Sequence, residues 1–230
     1  MRGARRRGDR ARGDGGRTRA AIAGGARVSG DPREAEWAAI EARILDALDR
    51  AASAEAATLA LRAYGPGILA YLIVVLRDRQ MAEDTFADFG EQLWKGIGGF
   101  RRECSFRAWA YRVAWCCAVH TLRDPYRRRG RRLETREVSE ILAPMRTQTA
   151  RWLETESKSQ LEELRASLEP GERALLVLRL DRRLSWTEVA RALQDDGEAP
   201  ATEAALRKRF ERIKERLRAL AEERGLLEPR

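Results

Sequence analysis

The sequence predicts an all-α protein, and three observations carry that reading. From Asp31 onward, apolar residues recur at spacings of three and four almost everywhere. No run alternates apolar and polar residues as a half-buried strand does, and no Asn-Gly or Asp-Gly pair joins two such runs into a hairpin. Gly and Pro fall in clusters, Gly65-Pro66-Gly67, Gly96 with Gly98 and Gly99, and Pro170-Gly171, which cut the pattern into pieces of helical length.

A first amphipathic helix carries Trp37, Ile40, Ile44, Leu45 and Leu48 and starts near Asp31-Pro32, where Pro suits the first turn. A second runs from Ala54 to Tyr64, and "YGPG" is expected to end it before the apolar run Ile68 to Leu76. That run is apolar on all sides and reads as a central buried helix. A helix opened by Asp78 and closed by the Gly96 cluster sets Phe86, Phe89, Leu93 and Trp94 on one face. Glu83, Asp84, Asp88 and Glu91 make its other side acidic.

The stretch "FRRECSFRAWAYRVAWCC", Phe100 to Cys117, gathers two Trp, one Tyr, two Phe and four Arg in a chain that is 7% aromatic. It reads either as core wall or as a surface for a flat, negatively charged ligand. Periodicity sorts it into two stripes, Phe106, Trp109, Val113 and Cys116 or Cys117 against Tyr111, Trp115, Ala118 and Leu122. We assign Phe106, Trp109 and Val113 mostly to packing. Pro125 and Gly130 then interrupt a basic run and end a first helical domain, residues 32–126. Residues 127–150 read as a linker with little packing power, within which "SEILAPM" is suited to a short helical turn that docks elsewhere on the protein.

A second helical domain is expected over 151–230, beginning with Trp152, Leu161, Leu164 and Leu168. Pro170 and Gly171 start a short apolar helix. Ser185 and Glu188 form a capping box for the next, whose inner face is Trp186, Val189, Ala190 and Leu193. After the turn "QDDGEAPA", a long helix from about Thr202 to Gly225 places Leu206, Phe210, Ile213, Leu217 and Leu220 on one stripe. Its opposite face shows Arg207, Lys208, Glu211, Arg212, Glu215 and Arg216. Two helices joined by a turn, the second basic near its start, have the sequence form of a helix-turn-helix that reads DNA in the major groove. A helical hairpin with a solvated charged face fits the same residues, because Glu203, Glu211 and Glu215 dilute the positive field.

Composition narrows the function. The 230 residues carry a formal charge of +9 and a pI near 10.1, which favours polyanionic partners. Residues 1–30 hold nine Arg and two Asp, a net of +7, so only +2 is left for the rest. The arm 1–31 has no apolar periodicity and reads as disordered, either a loose phosphate-holding arm or an unstructured extension. No apolar run of about 7–15 residues follows its basic start, as a signal peptide requires. No uninterrupted apolar run approaches the roughly 18–20 residues of a membrane span, and no membrane insertion is expected. Cys104, Cys116 and Cys117 lack framework spacing, which suits a reducing cytoplasm. Cys116 and His120 lie one turn apart, but His120 is the sole His and no Cys pair completes a tetrahedral set, so neither a metal nor a cofactor is expected. The absence of a nucleophile pattern or phosphate-binding Gly loop argues against an enzyme.

Five motifs in order resemble a bacterial sigma factor of the extracytoplasmic-function (ECF) class, over roughly Leu48 to Leu226. "LRAYGPGILAYL" resembles the start of the sigma-2 domain. "MAEDTFADFGEQLW" resembles the helix that in this family binds the clamp helices of the largest RNA polymerase subunit. "FRRECSFRAWAYRVA" resembles the minus-10 recognition segment. "LEPGERALLVLRLDRRLSWTEVARAL" and "EAALRKRFERIKERL" resemble the sigma-4 helix-turn-helix that reads the minus-35 element.

The resemblance implies core-polymerase contacts at Glu83, Asp84, Asp88, Leu93 and Trp94. It implies minus-10 contacts at Arg101, Arg102, Ser105, Phe106, Arg107, Trp109, Arg112 and Trp115, where aromatic faces stack on unpaired bases and cations hold the backbone. It implies minus-35 contacts at Ser185, Thr187, Ala204, Arg207, Lys208, Glu211 and Arg212. The expected partners are RNA polymerase core and promoter DNA, with an anti-sigma factor as a further candidate. A helix-turn-helix regulator acting without polymerase is the alternative, and a sigma-like protein that only binds partners is another.

The chain departs from the family's pattern in two places. Trp115 and Cys116 stand where the family commonly has a basic residue and Asn. The turn "QDDGEAPA" is longer and more acidic than the family's short Gly-containing turn. The helix before Leu48 also exceeds the minimal family plan.

Overall fold

The chain's most apolar run lies at the centre of its fold. The computed structural model describes residues 32–123, 138–145, 166–195, 197 and 199–227. In chain order these form α1 (Pro32–Asp49), α2 (Ser53–Leu76), α3 (Arg79–Gly96), a 3-10 turn (Ile97–Gly99) and α4 (Phe106–Arg123). Then follow α5 (138–145), α6 (Pro170–Leu176) with a π-helical turn (Val177–Asp181), α7 (Trp186–Ala192) and α8 (Glu203–Glu223). The described residues contain no strand, and the protein is all-α. The expected arm 1–31, the basic run after Arg123, and Trp152, Leu161 and Leu164 lie outside the described residues.

Helix α2 corrects the expected break at "YGPG", since it runs unbroken through Pro66. An interior Pro removes one helical hydrogen bond and costs about 3 kcal/mol in an exposed helix. Here thirteen of the 24 residues are buried, and each fully buried Leu or Ile contributes about 1.5–3 kcal/mol, so packing outweighs the breaker. The joined helix is, by length and composition, long and apolar enough to cross a membrane, which the shorter expected run was not. Most of its apolar window is buried inside the fold, the placement of a core helix.

Helix α3 begins where expected, with the Asp78 side chain accepting from the Met81 N–H at 2.9 Å. Phe86, Phe89 and Leu93 are fully buried as the periodicity predicts. Glu91 is not on the acidic outer face; it is buried and its carboxylate meets Lys95 at 2.9 Å. Thr85 donates to the Met81 carbonyl at 2.8 Å and pairs with the Thr121 hydroxyl at 2.9 Å, a polar link between α3 and α4.

Helix α4 redistributes the two expected stripes. Phe106 is fully buried, but Trp109 and Val113 are only half-buried at the core's edge. The inner face is instead Ala110, Ala114 and Ala118 with Tyr111 and Cys117. Small side chains at four-residue spacing let α4 approach α2 and α3 closely, and the Tyr111 ring meets Tyr71 edge-on at 5.5 Å. Alanines leave little mark on a periodicity of large apolar side chains.

The expected linker holds part of the core. In α5, Val138 and Leu142 are fully buried and Met145 nearly so. A Cβ at Gly90 of α3 would stand 2.9 Å from both Leu142 Cδ1 and Val138 Cγ1. The Met145 sulfur lies closer still to where a Cβ at Gly65 of α2 would stand, so two glycines make the groove that seats α5.

Helices α6, α7 and α8 pack against one another and against the first group, and the buried side chains of both groups form one apolar cluster. The Arg173 guanidinium fastens them. It is buried, donates from Nε and Nη2 to the Val75 carbonyl at 3.0 and 2.7 Å, and also donates to the Leu168 carbonyl. It thereby satisfies a carbonyl at the end of α2 that no helical N–H reaches. Arg77 adds a bond to the Ala166 carbonyl at 2.9 Å.

Truncating Leu142 to Ala is expected to lower the unfolding free energy by about 2–4 kcal/mol in a urea titration. A change under about 0.5 kcal/mol, the level of a surface position, would mean that α5 does not hold the core.

Candidate nucleic-acid interface

The loop before α4 is set by α1, the helix that exceeds the minimal family plan. The Glu41 carboxylate accepts from the Phe106 N–H at 2.7 Å, capping α4 from another helix. Arg102 stands at φ 60, in the left-handed region, and its guanidinium pairs with Asp49. Trp37 stacks on Tyr64 at 5.4 Å, and the Arg107 guanidinium lies 5.0 Å above the Trp37 ring.

The residues expected at minus-10 divide into wall and surface. Phe106 is wall, stacked with Tyr64 at 6.0 Å and met by Phe100 at 5.1 Å and Trp109 at 5.2 Å. Arg101 and Arg102 are exposed; Ser105, Arg107, Trp109, Arg112 and Trp115 are half-buried. Helix α4 exposes only His120 and Arg123 fully, because α7 and the turn after it cover the side turned away from α2. The Ser105 hydroxyl, which accepts from the Ala108 N–H at 3.1 Å, donates to Glu188 Oε1 at 2.8 Å. Arg107 donates to the Arg182 carbonyl. The Trp115 indole N–H donates to Asp195 Oδ1 at 2.9 Å, and Arg123 donates to Asp195 Oδ2 at 3.2 Å. The Cys116 thiol points at the Gln194 carbonyl, 3.9 Å away.

The two departures noted in the sequence therefore meet each other. Trp115 and Cys116 face the first residues of the long acidic turn. Their separate oddity was legible, but their contact, 78 to 80 positions apart in the chain, was not.

On α3, Gln80, Asp88 and Gln92 are exposed and Asp84 half-exposed, at four-residue spacing along one stripe. Gln80 donates to Asp84 at 3.1 Å, and Arg79 pairs with Glu83 at 2.9 Å. Of the expected polymerase contacts, Leu93 is fully buried and serves the core, and Trp94 is half-buried against it.

The helix pair α7–α8 carries its expected caps. Ser185 Oγ accepts from the Glu188 N–H at 3.2 Å, and the Glu188 carboxylate accepts from the Ser185 N–H at 2.8 Å. The same carboxylate holds Ser105, so one cap serves two helices. Thr202 caps α8 at the Ala205 N–H, 3.2 Å. Ser185, Thr187, Ala204, Arg207, Lys208, Glu211 and Arg212 are all exposed. Glu203 accepts from Thr187 at 2.6 Å and from Arg207 at 3.0 Å, and these bonds hold its carboxyl below the ordinary range. Trp186 meets Phe210 edge-on at 5.4 Å and lies between Arg179 and Arg207, 5.0 and 5.4 Å from its ring.

The acidic stripe of α3, the loop 100–105 and the aromatic, basic helix α4 form one helical unit with its charge on the outside. Residues 60–132, which contain them, match the family model described as Sigma-70 region 2. The match supports kinship with sigma-70 family sigma factors, in which this region serves RNA polymerase binding and promoter melting. No curated protein matches the chain.

Burial is the main cause that raises the Glu41 carboxyl above its ordinary value; the Phe106 N–H lowers it, Glu188 raises it and Arg107 lowers it. A folded-state value above the unfolded one means that the folded chain binds the proton more readily. Stability is therefore lost as pH rises from the ordinary carboxylate range through the raised value. Glu41→Gln, which keeps an acceptor for Phe106, is expected to be at least as stable as the unaltered chain at neutral pH. The difference should shrink as pH falls through that window in parallel urea titrations, and a difference independent of pH would contradict the assignment.

Proposed function

We propose that the chain is an ECF-class sigma factor, a cytoplasmic subunit that directs RNA polymerase core to particular promoters. The region 2 match over α2 to α4 carries the reading. Its first part is core binding through the exposed stripe of α3, with Asp84 and Asp88 as the charged contacts and Trp94 at their flank. Its second is minus-10 capture by Arg101, Arg102, Ser105, Arg107, Trp109, Arg112 and Trp115, with Phe106 as the wall behind them. Melting requires bases to leave the stack, and aromatic faces with neighbouring cations stabilise them outside it.

Residues 151–230 act as a sigma-4 domain joined to a sigma-2 domain over 32–126. The exposed first turns of α8 support this, because Ala204, Arg207, Lys208, Glu211 and Arg212 line the face that a major groove would meet. Binding energy alone drives the process, with no covalent step. An anti-sigma factor is a further partner of this class. A polymerase-independent regulator would have no use for the α3 stripe.

Adding the chain to core polymerase should give run-off transcripts from a cognate promoter. Asp84→Arg is expected to weaken core association by about tenfold or more, since a like charge placed at a contact costs affinity steeply. Unchanged core association would remove α3 from the contact. Charge reversal at Arg207 and Lys208 should abolish dependence on the minus-35 element, and retained dependence would mean that α8 is not the reading helix.

A further inference from the structure

Four groups on and before α4 that carry a hydrogen to donate meet oxygen acceptors from residues 182–195. Ser105 meets the Glu188 carboxylate, Arg107 the Arg182 carbonyl, and Trp115 and Arg123 the two oxygens of Asp195. A row of oxygens, some of them anionic, is what a nucleic-acid backbone presents. The last contact is the most specific. An indole N–H can only donate, and beside a guanidinium it makes a two-donor cradle whose natural guest is an oxyanion.

We propose that Trp115 and Arg123 form a phosphate-binding site for the promoter strand, and that Asp195 fills it with a carboxylate while the chain is alone. The inference rests on reading α4 as the minus-10 helix. It gives both departures of the sequence one role. Trp115 is the donor in place of the family's polar residue, and the long turn brings the anion that covers it. The far edge of the Trp115 ring lies beside Gly171, where a built Cβ would stand 3.7 Å from it. The Arg123 side chain is 69% exposed and that of Asp195 24%, so solvent and an incoming strand reach the pair. Exchanging the carboxylate for a phosphodiester keeps both donors satisfied.

The test uses the full chain and a fluorescent single-stranded DNA of mixed sequence, read by anisotropy, with a neutral-backbone analogue of the same bases. Asp195→Ala is expected to tighten DNA binding about tenfold, the scale of one charge-assisted bond released to the ligand. The gain should vanish in Arg123→Ala/Asp195→Ala, should be absent with the neutral analogue, and should not follow Glu223→Ala, which removes an exposed charge elsewhere. Unchanged affinity in Asp195→Ala, or a gain that survives loss of Arg123 or of the backbone charge, overturns the site. Core-polymerase association of the unaltered chain, measured alongside, judges the sigma-factor reading separately. Core association with no Asp195 effect rejects only the phosphate site, whereas an Asp195 effect without core association keeps the site and rejects the polymerase reading.

Discussion

Helix α4 is apolar or aromatic on nearly every side, and the rest of the structure follows from the need to cover it twice. Its alanine face lies against α2 and α3, where small side chains bring the helices close. Its other side packs on α7, and Trp115 and Cys116 there face the turn that follows α7. A helix with two apolar sides is unstable at a surface, so the second helical group is held against the first by α4 itself. Arg173 and Arg77, reaching carbonyls across the junction, fix the orientation rather than supply the main attraction.

The same constraint joins structure to function. A segment that captures unpaired bases needs aromatic faces and fixed cations, and such a surface is costly to leave open. In this chain carboxylates and carbonyls of residues 182–195 stand along that face, where on the proposed reading a strand would bring phosphates. Helix α1 belongs to the device as well, since Glu41 caps α4 and Asp49 holds Arg102.

Much of this was legible in the sequence. The periods, the Ser185–Glu188 capping box, Asp78 as a cap and the wall role of Phe106 all follow from local chemistry, and the structure has them. Three readings fell short because the deciding term was tertiary. The burial of α2 outweighed Pro66 as a breaker. Alanines took the inner face of α4 because close approach mattered more there than side-chain size. The 138–145 segment was legible as a short docked turn, but not its place in the core, because its apolar residues are few and two glycines on other helices shape the groove for them. Leu93 reads as a contact only if a motif is taken whole; its burial sends it to the core. The meeting of Trp115 with Asp195 had no signal beyond the oddity of each, because contacts between distant segments leave no mark on local periodicity.

Mutual burial of α4 by both helical groups is the central claim, and native-state hydrogen exchange on the full chain tests it directly. If α7 is part of the cover that α4 requires, the slowest amides of Trp186–Ala192 and of α4 should exchange through one common opening, with the same free energy and the same dependence on denaturant. Exchange of Trp186–Ala192 at a distinctly lower free energy, with α4 left fully protected, would show that the second group is not needed to cover the helix and would contradict the account.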